Sequence, residues 1–355
     1  RAVLRASENR FIEPEPQGAT RYRVLFLGGS STESRYVPED LRWVSRLNEP
    51  GVLAAYNAGQ SGANTLDEYL TFLYLTEQEG FDFDLVVLMT AVNDLGWQRA
   101  LKKFGGALRI ASYRDDLQRW YLDRKSQSVW DRIRSGSRLV YALTRFADRI
   151  DRSFADEPAT QSPSSTSEIG PIAAGFLRHR ESSDETFRSD PISLNECQSY
   201  QGDVTEYREN ARHNLRLFSD AVAVSGGQLL VLSEANSYQA PTDSYLADVR
   251  TYQPCDSRLL SFDDAYLMFL DMNQAYLEAA VEAGALTFDL AANLDPLVNG
   301  PNGGRYMYDP FHYTIEGSAE VARLLRSKLM EILSEDQASR QTMLHGMASL
   351  DPNVD

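Results

Sequence analysis

Short apolar runs recur along the chain, and most end at a glycine or a polar residue. They are rich in Val, Leu and Phe and show little alternation with polar residues. This pattern is typical of strands that are buried on both faces of a parallel sheet. It predicts strands over residues 23–27, 52–56, 85–89, 229–232 and 286–290.

Amphipathic segments separate these runs. Residues 66–78 place Leu66, Tyr69, Leu70 and Leu73 on one helical face. Residues 262–283 end just before Gly284, the residue type that most often terminates a helix. The predicted helices cover residues 38–47, 66–78, 204–224, 262–283 and 315–333.

Strands that alternate with helices predict an α/β fold. We expect residues 22–334 to form a three-layer α/β/α sandwich around a five-stranded, mainly parallel sheet. Functional groups of such sheets gather beyond the carboxyl ends of the strands. Ser30, Gly62, Asn93 and the loop with Asp309 and His312 each follow a predicted strand.

Three segments fall outside this alternation. Residues 97–201 carry helical patches rich in Arg, Trp and Tyr, and then a stretch rich in Ser, Thr and Pro over residues 153–167. We interpret residues 97–201 as an insertion or lid in the domain. Residues 1–21 are expected to form an extended lead-in, and residues 335–355 a polar tail.

Composition narrows the class of partner. The chain has 355 residues and is 43% hydrophobic, which is enough to form a full core. Its 35 basic and 51 acidic residues give a formal net charge of -16. Such a surface repels phosphate backbones, so we expect no nucleic-acid partner.

The two cysteines, Cys197 and Cys255, have neither C-x-x-C nor zinc-ligand spacing, so no metal site is expected. They would form one disulfide in an extracytoplasmic protein, and two unpaired thiols are an equal alternative. No apolar run approaches the roughly 18 residues of a membrane span. A signal peptide or membrane anchor could precede Arg1, and we favour an extracytoplasmic location. The oligomeric state is left open.

The glycine-rich turn Gly28-Gly29-Ser30 follows the first predicted strand. It lacks the spacing of phosphate-binding and dinucleotide-binding loops. Thr32 stands where the nucleophile elbow G-x-S-x-G needs glycine, which disfavours a lipase-type α/β-hydrolase. Ser30 is therefore either a nucleophile or an ordinary turn residue.

The pair Asp309 and His312 lies just ahead of the last predicted helix. A carboxylate at this spacing can hold Nδ1 of an imidazole and leave Nε2 to accept a proton. Of the four histidines, only His312 has a nearby acid and a turn-rich setting. The alternative is that Asp309 forms a turn and His312 is a surface ring.

Two further residues offer hydrogen-bond donors. Asn93 directly follows the third predicted strand, and its amide could donate to a developing oxyanion. Gly62 lacks a β-carbon, so its N–H can approach a ligand closely. Each also has a simpler interpretation, Asn93 as an Asx-type turn and Gly62 as a chain reversal.

The four blocks together resemble those of the SGNH hydrolases, the GDSL-like esterases and lipases. The blocks are Gly28-Gly29-Ser30, residues 57–62, Val92-Asn93-Asp94 and Asp309-Pro310-Phe311-His312, in the family's order. The resemblance covers residues 22–95 and roughly 204–333, and it implies a flavodoxin-like sheet. It does not extend to the insertion.

The resemblance implies a role for each residue and an esterase mechanism. Ser30 would be the nucleophile, His312 the general base and Asp309 the residue that orients it. The N–H groups of Ser30 and Gly62 and the amide of Asn93 would form the oxyanion hole. No metal or organic cofactor would be needed. The expected substrate is a small-molecule or carbohydrate ester with a short acyl group, such as O-acetyl.

Two positions depart from the family pattern. Gly29 stands where aspartate is most common, and Ala91 stands where the third block usually has glycine. We expect Ala91 to narrow the site near Asn93, which bears on substrate size more than on mechanism.

Two other functions remain open at this point. An O-acyltransferase would use the same three residues and pass the acyl group to a sugar hydroxyl. A non-catalytic carbohydrate-binding module would use Trp97, Trp120, Trp130 and several tyrosines of the insertion as stacking platforms, although core or lid packing is the commoner role of such rings.

Overall fold

The structure of the protein, a computed structural model, describes residues 4–7, 11–94, 199–240 and 260–348, with side chains up to residue 335. The predicted insertion over residues 97–201 lies almost wholly outside the described residues, as do Cys197, Cys255 and the insertion's tryptophans. Its role therefore stays a prediction.

A single five-stranded sheet organises the described residues, with strand order β2-β1-β3-β4-β5. Every neighbouring pair of strands is parallel. This order is that of flavodoxin-like doubly wound sheets, so the predicted fold class is confirmed. The strands are β1 (Tyr22–Gly28), β2 (Leu53–Asn57), β3 (Leu85–Met89), β4 (Gln228–Leu232) and β5 (Leu286–Phe288).

Alternate residues of each strand point to opposite faces, and each face is covered by its own apolar cluster. Leu25 and Leu27 of β1 belong to one cluster, whereas Val24 and Phe26 belong to the other. Helices therefore cover both faces of the sheet. They are α1 (Ser30–Glu33), α2 (Thr65–Leu73), α3 (Thr205–Val224), α4 (Phe262–Glu282), α5 (Leu290–Val298) and α6 (Ile315–Ala348).

The predicted helix over residues 38–47 is wrong. The segment forms two short 3-10 turns, Glu39–Leu41 and Ser45–Leu47, which are separated by residues 42–44, of which Arg42 is extended. The Arg42 side chain is fully buried, and its guanidinium donates to the backbone carbonyls of Ser34 and Glu13. These long-range bonds satisfy a buried cation and compete with a continuous helix.

Helices α5 and α6 also differ from the pattern-based prediction. Helix α5 was not predicted, and it contains Pro296, a residue that disfavours helix interiors. Asp289 stabilises its start by accepting a hydrogen bond from the Ala292 N–H. Helix α6 continues past Glu335, where only a polar tail is predicted, to Ala348.

The described part of the lead-in, residues 1–21, packs against the domain. Phe11 is fully buried, and its ring contacts those of Tyr56 and Phe81. The Ile12 N–H donates to the Asn57 carbonyl at the end of β2. Residues on both sides of the first strand thus share one core. Among the described residues, no helix has the length and apolar character needed to span a bilayer.

Candidate active site

The ends of β1 and β3 and the loop before α6 converge at one edge of the sheet. β1 leads into Ser30, and β3 leads into Thr90 and Asn93, because parallel neighbours end on the same side. The loop before α6 brings Asp309 and His312 to the same edge. The Ser30 Oγ lies 2.7 Å from His312 Nε2, although the residues are 282 positions apart in the chain.

Backbone hydrogen bonds fix the Asp309 carboxylate in place beside the imidazole of His312. Its Oδ1 accepts from the backbone N–H groups of Phe311 and His312, at 2.9 and 2.8 Å. Its Oδ2 lies 2.6 Å from His312 Nδ1. A carboxylate can only accept, so this network assigns the proton to Nδ1 and leaves Nε2 to accept from Ser30.

The environment of His312 has opposing effects on its pKa. Burial by itself lowers the pKa, but the charge and hydrogen bond of Asp309 raise it, and the net result is a raised pKa. Glu234 and Glu33 add to the increase. The ring is therefore a stronger base than a free histidine, and it stays protonated to a higher pH.

The ring of Tyr308 packs against one face of the His312 imidazole. Its ring lies nearly parallel to that of His312, with centroids 5.5 Å apart and an interplanar angle of 9°. The Tyr308 N–H also donates to the His312 carbonyl at 3.1 Å. Tyr36 then packs edge-on against Tyr308 and is 41% exposed. An aromatic wall thus runs from His312 to the surface.

The amide of Asn93 lies beside the glycine that precedes Ser30. Its Nδ2 donates to the Ala63 carbonyl at 2.8 Å. That bond uses one of the two amide hydrogens and fixes the plane of the group, which leaves a second N–H to donate. Asn93 is therefore placed between the Ser30 turn and the loop that carries Gly62.

Gly62 adopts a positive φ of 80°, a conformation that glycine takes without strain. The space where its β-carbon would lie is open. The loop is anchored to the Ser30 turn, since the Gln60 N–H donates to the Gly28 carbonyl at 2.8 Å and Ser61 Oγ donates to Glu33. The sequence-predicted residues Ser30, Gly62, Asn93, Asp309 and His312 are thereby brought to one edge of the sheet.

A buried polar network lies beneath Asn93. Asp94 accepts from the Thr65 N–H and hydroxyl, at 2.7 and 2.5 Å, and Thr90 and Tyr276 extend the network. Burial raises the pKa of Asp94 to about 7, against the effect of the Thr65 hydrogen bonds. The network holds the end of β3 at the start of α2.

Ala91 does not take the place that we expected. It is 1% exposed and belongs to the apolar cluster on one face of the sheet. The Tyr207 hydroxyl donates to its carbonyl at 3.4 Å. Its methyl group therefore contributes to the core.

Sequence reasoning missed Glu234 and Tyr308. Glu234 lies two residues beyond the end of β4, so the strand-end rule that singled out Ser30 and Asn93 could also have found it. Tyr308 precedes Asp309, but its stacking on His312 depends on the loop conformation. Among the described residues, no group of three or more His, Cys, Asp and Glu side chains is arranged to hold a metal ion.

No protein-family model matches the chain, and a search among curated proteins gives no match either. Solved structures do show similarity. LAE5, an alpha/beta hydrolase enzyme from the metagenome of Lake Arreo, Spain, has a TM-score of 0.41 and 13% identity over 88% of this chain and 97% of that chain. Axe2, an acetylxylan esterase from Geobacillus stearothermophilus, has a TM-score of 0.39 and 11% identity over 86% and 92%.

A third similar structure, from Parabacteroides merdae, is named for its likeness to GDSL lipases. It has a TM-score of 0.41 and 11% identity over 87% of this chain and 96% of that chain. Likenesses at these values do not bear on the chemistry of this chain, which rests on the geometry of its own side chains.

Proposed function

We propose that the protein is a serine esterase of the SGNH type, with Ser30 as nucleophile, His312 as general base and Asp309 as the residue that orients the imidazole. The observation that carries the proposal is the continuous chain of hydrogen bonds from Ser30 Oγ through both ring nitrogens of His312 to Asp309, at 2.7 and 2.6 Å. Nucleophile, base and orienting acid within hydrogen-bond reach are what acyl transfer through serine requires.

The proposed reaction follows from this arrangement. Ser30 Oγ attacks the ester carbonyl as its proton passes to His312 Nε2. The alcohol leaves with that proton, and an acyl-serine remains. Water then attacks the acyl group and gives a proton to His312 Nε2, and His312 passes that proton to Ser30 Oγ as the acid and the free serine are released. Asp309 stabilises the imidazolium that forms in each half of the reaction.

The proposed oxyanion hole uses three donors. Ser30 is the first residue of α1, so its N–H has no acceptor within that helix. The Asn93 amide is oriented by Ala63, and the Gly62 backbone is open on the side where a β-carbon would lie. Donors fixed in advance stabilise a developing negative charge most effectively.

We extend the proposal to a short acyl group, such as O-acetyl on a carbohydrate. No long apolar segment of the sequence suggests a tunnel for a lipid chain. Tyr36, exposed and linked through Tyr308 to His312, offers an aromatic face on the open side of the site. An aromatic ring with one apolar face exposed suits the apolar face of a sugar.

Labelling with a fluorophosphonate tests the assignment of the nucleophile. We expect the probe to modify Ser30 and to abolish turnover of p-nitrophenyl acetate, and Ser30→Ala to remove both labelling and turnover. Ser225→Ala, at the distant end of α3, is the matched control and should keep both. Turnover that persists in Ser30→Ala, or label on another serine, would refute the proposal.

The acyl-chain preference has its own test. Acetate release from an acetylated oligosaccharide and turnover of p-nitrophenyl acetate should both exceed turnover of p-nitrophenyl palmitate. Preference for the long chain would contradict the extension while leaving the nucleophile assignment intact.

A further inference from the structure

Glu234 is a buried carboxylate that the reaction described above does not use. It follows β4 and is 5% exposed. Its backbone is held on both sides by Asn273 of α4: the Glu234 N–H donates to Asn273 Oδ1 at 3.0 Å, and Asn273 Nδ2 donates to the Glu234 carbonyl at 2.9 Å. The side chain is thus directed from a rigid base.

The two oxygens of Glu234 bind the immediate neighbours of two site residues. Ser31 Oγ donates to Oε1 at 2.5 Å, and Ser31 adjoins Ser30. The Val92 N–H reaches Oε2 at 3.3 Å, and Val92 adjoins Asn93. One carboxylate therefore links the turn after β1 to the turn after β3.

The link extends to the loop that carries the imidazole. Ser31 Oγ also lies 3.2 Å from the carbonyl of Phe311, the residue before His312. Ser237, three residues beyond Glu234, donates from its N–H to the Pro310 carbonyl and from its hydroxyl to the Asp309 carbonyl, both at 3.0 Å. The segment after β4 thus holds the Asp309–His312 loop at several points.

We propose that Glu234 is a positioning residue that holds the Ser30 turn, the Asn93 turn and the His312 loop in fixed positions relative to one another. Isolated loops rarely hold catalytic groups to within the tolerance that acyl transfer needs, and buried hydrogen bonds to their neighbours supply that precision. A buried carboxylate without such a role is expensive to keep, because it loses its hydration. The proposal rests on the proposed function of Ser30, His312 and Asp309.

The charge of Glu234 adds an electrostatic effect to the geometric one. It raises the pKa of His312, after the larger effects of burial and Asp309, and so favours the imidazolium that forms during attack. Burial raises the pKa of Glu234 itself, while the Ser31 hydrogen bond, the Val92 hydrogen bond and the His312 charge oppose that increase. Among the described residues, the Glu234 charge contributes to the shifted pKa values of His312, Asp94, Tyr207, Tyr276 and Tyr313.

Two substitutions separate the charge from the hydrogen bonds. Glu234→Gln keeps the shape and an acceptor but removes the charge, and Glu234→Met removes both. With p-nitrophenyl acetate we expect kcat to fall about ten-fold in Glu234→Gln and further in Glu234→Met, as for lost hydrogen bonds to a charged group, with KM little changed. Removal of the charge should also lower the pKa of His312, so the acid limb of kcat/KM should move to lower pH.

Asp289→Asn is the matched control. Asp289 accepts from the hydroxyl of Ser233, the residue before Glu234, and from the Ala292 N–H. The control removes a carboxylate that accepts from a serine at the same strand end. It should leave kcat and the acid limb unchanged. Equal effects in Asp289→Asn and Glu234→Gln would overturn the positioning role.

Titration of the His312 ring by NMR gives a readout that needs no turnover. A lower pKa for His312 in folded Glu234→Gln supports the coupling. An unchanged pKa together with an unchanged kcat overturns it. If wild-type protein neither turns over ester nor is labelled at Ser30, the proposed function fails, and the titration still shows whether Glu234 acts on His312.

Ser31→Ala decides the question if neither Glu234 variant folds. It breaks the bridge from the other end and leaves the carboxylate in place. We expect kcat to fall about ten-fold with KM little changed. Wild-type kcat in Ser31→Ala would overturn the proposed bridge.

Discussion

The amide nitrogen of Asn93 lies where a side chain at residue 29 would have to be. A β-carbon built on Gly29 would come within 2.1 Å of Asn93 Nδ2, whereas the backbone φ of Gly29, -76°, is one that any residue can adopt. Glycine is required at this position by the approach of Asn93 and not by backbone conformation. The position of the Asn93 amide therefore depends on the absence of a side chain at Gly29.

We expect Gly29→Ala to lower kcat by displacing Asn93 from its bond to Ala63. The loss should approach that of Asn93→Ala, which by comparison with other side-chain oxyanion donors is about 10²–10³-fold. Steady-state kinetics on p-nitrophenyl acetate would check both. Because both changes act on the same group, the double variant should lose little more than either single one. Additive losses would contradict a shared cause.

Asp309→Asn should lower kcat by about 10⁴-fold, because an amide can donate to Nδ1 and favour the wrong imidazole tautomer. The fold should persist, since Oδ1 could still accept from the Phe311 and His312 N–H groups. Far-UV circular dichroism would verify folding alongside the kinetic measurement. An asparagine variant of near-normal activity would remove Asp309 from the mechanism.

The pH profile of the wild-type enzyme should reflect the raised pKa of His312. The free enzyme needs a neutral imidazole to accept the Ser30 proton, so kcat/KM should rise with pH through the His312 pKa. Because the charge and hydrogen bond of Asp309 and the charges of Glu234 and Glu33 together outweigh the burial effect, that midpoint should lie above the ordinary histidine value of about 6.5. A midpoint at or below that value would contradict the geometry of the ion pair.

Tyr308 should matter for its ring and not for its hydroxyl. Tyr308→Phe keeps the face that stacks on His312 and should retain activity within about two-fold, whereas Tyr308→Ala frees the imidazole and should cost about 0.5–1.5 kcal/mol in the barrier, or two- to twelve-fold in kcat. Kinetics of the two variants side by side would decide. Equal losses in both would assign the role to the hydroxyl.

Asp94→Asn should change how stability depends on pH. Burial raises the folded-state pKa of Asp94 to about 7, above its ordinary value of 3.8, so the folded state binds the proton more tightly. This tighter binding contributes to the free energy of unfolding in full at pH values below the pKa of Asp94 in the unfolded state. The contribution is lost as pH rises through about 7, at up to about 1.4 kcal/mol per pKa unit. Urea unfolding would measure the free energy of unfolding at pH 5 and at pH 8. Its decrease between these two pH values should be smaller in the variant than in the wild type.

The same experiment has a built-in comparison. Burial raises the pKa of Asp67 to about 6, so part of the decrease between pH 5 and pH 8 should remain in Asp94→Asn. A decrease of the same size in variant and wild type would show that Asp94 ionises without cost, which contradicts its burial.

Local sequence determined much of the fold, because strands buried on both faces leave an unmistakable apolar run. β3 was predicted with its observed bounds, Leu85–Met89, and the start of α4 at Phe262 follows the Ser261 cap. The parallel arrangement followed as well, since alternating strands and helices permit few other topologies. Ser30 and Asn93 were singled out because each follows a predicted strand.

Tertiary structure decided what depends on groups far apart in the chain. Residues 38–47 carry a helical pattern, yet the buried Arg42 and its carbonyl partners break it. The 2.7 Å contact between Ser30 and His312 needs the register of the whole sheet and of the loop before α6. No local pattern could indicate that Glu234 would reach Ser31 and Val92. The sequence by itself determined which groups stand at the strand ends, because hydrophobic periodicity is a local property of the chain. The distances between those groups were decided only by tertiary packing, because packing joins residues that are far apart in the chain.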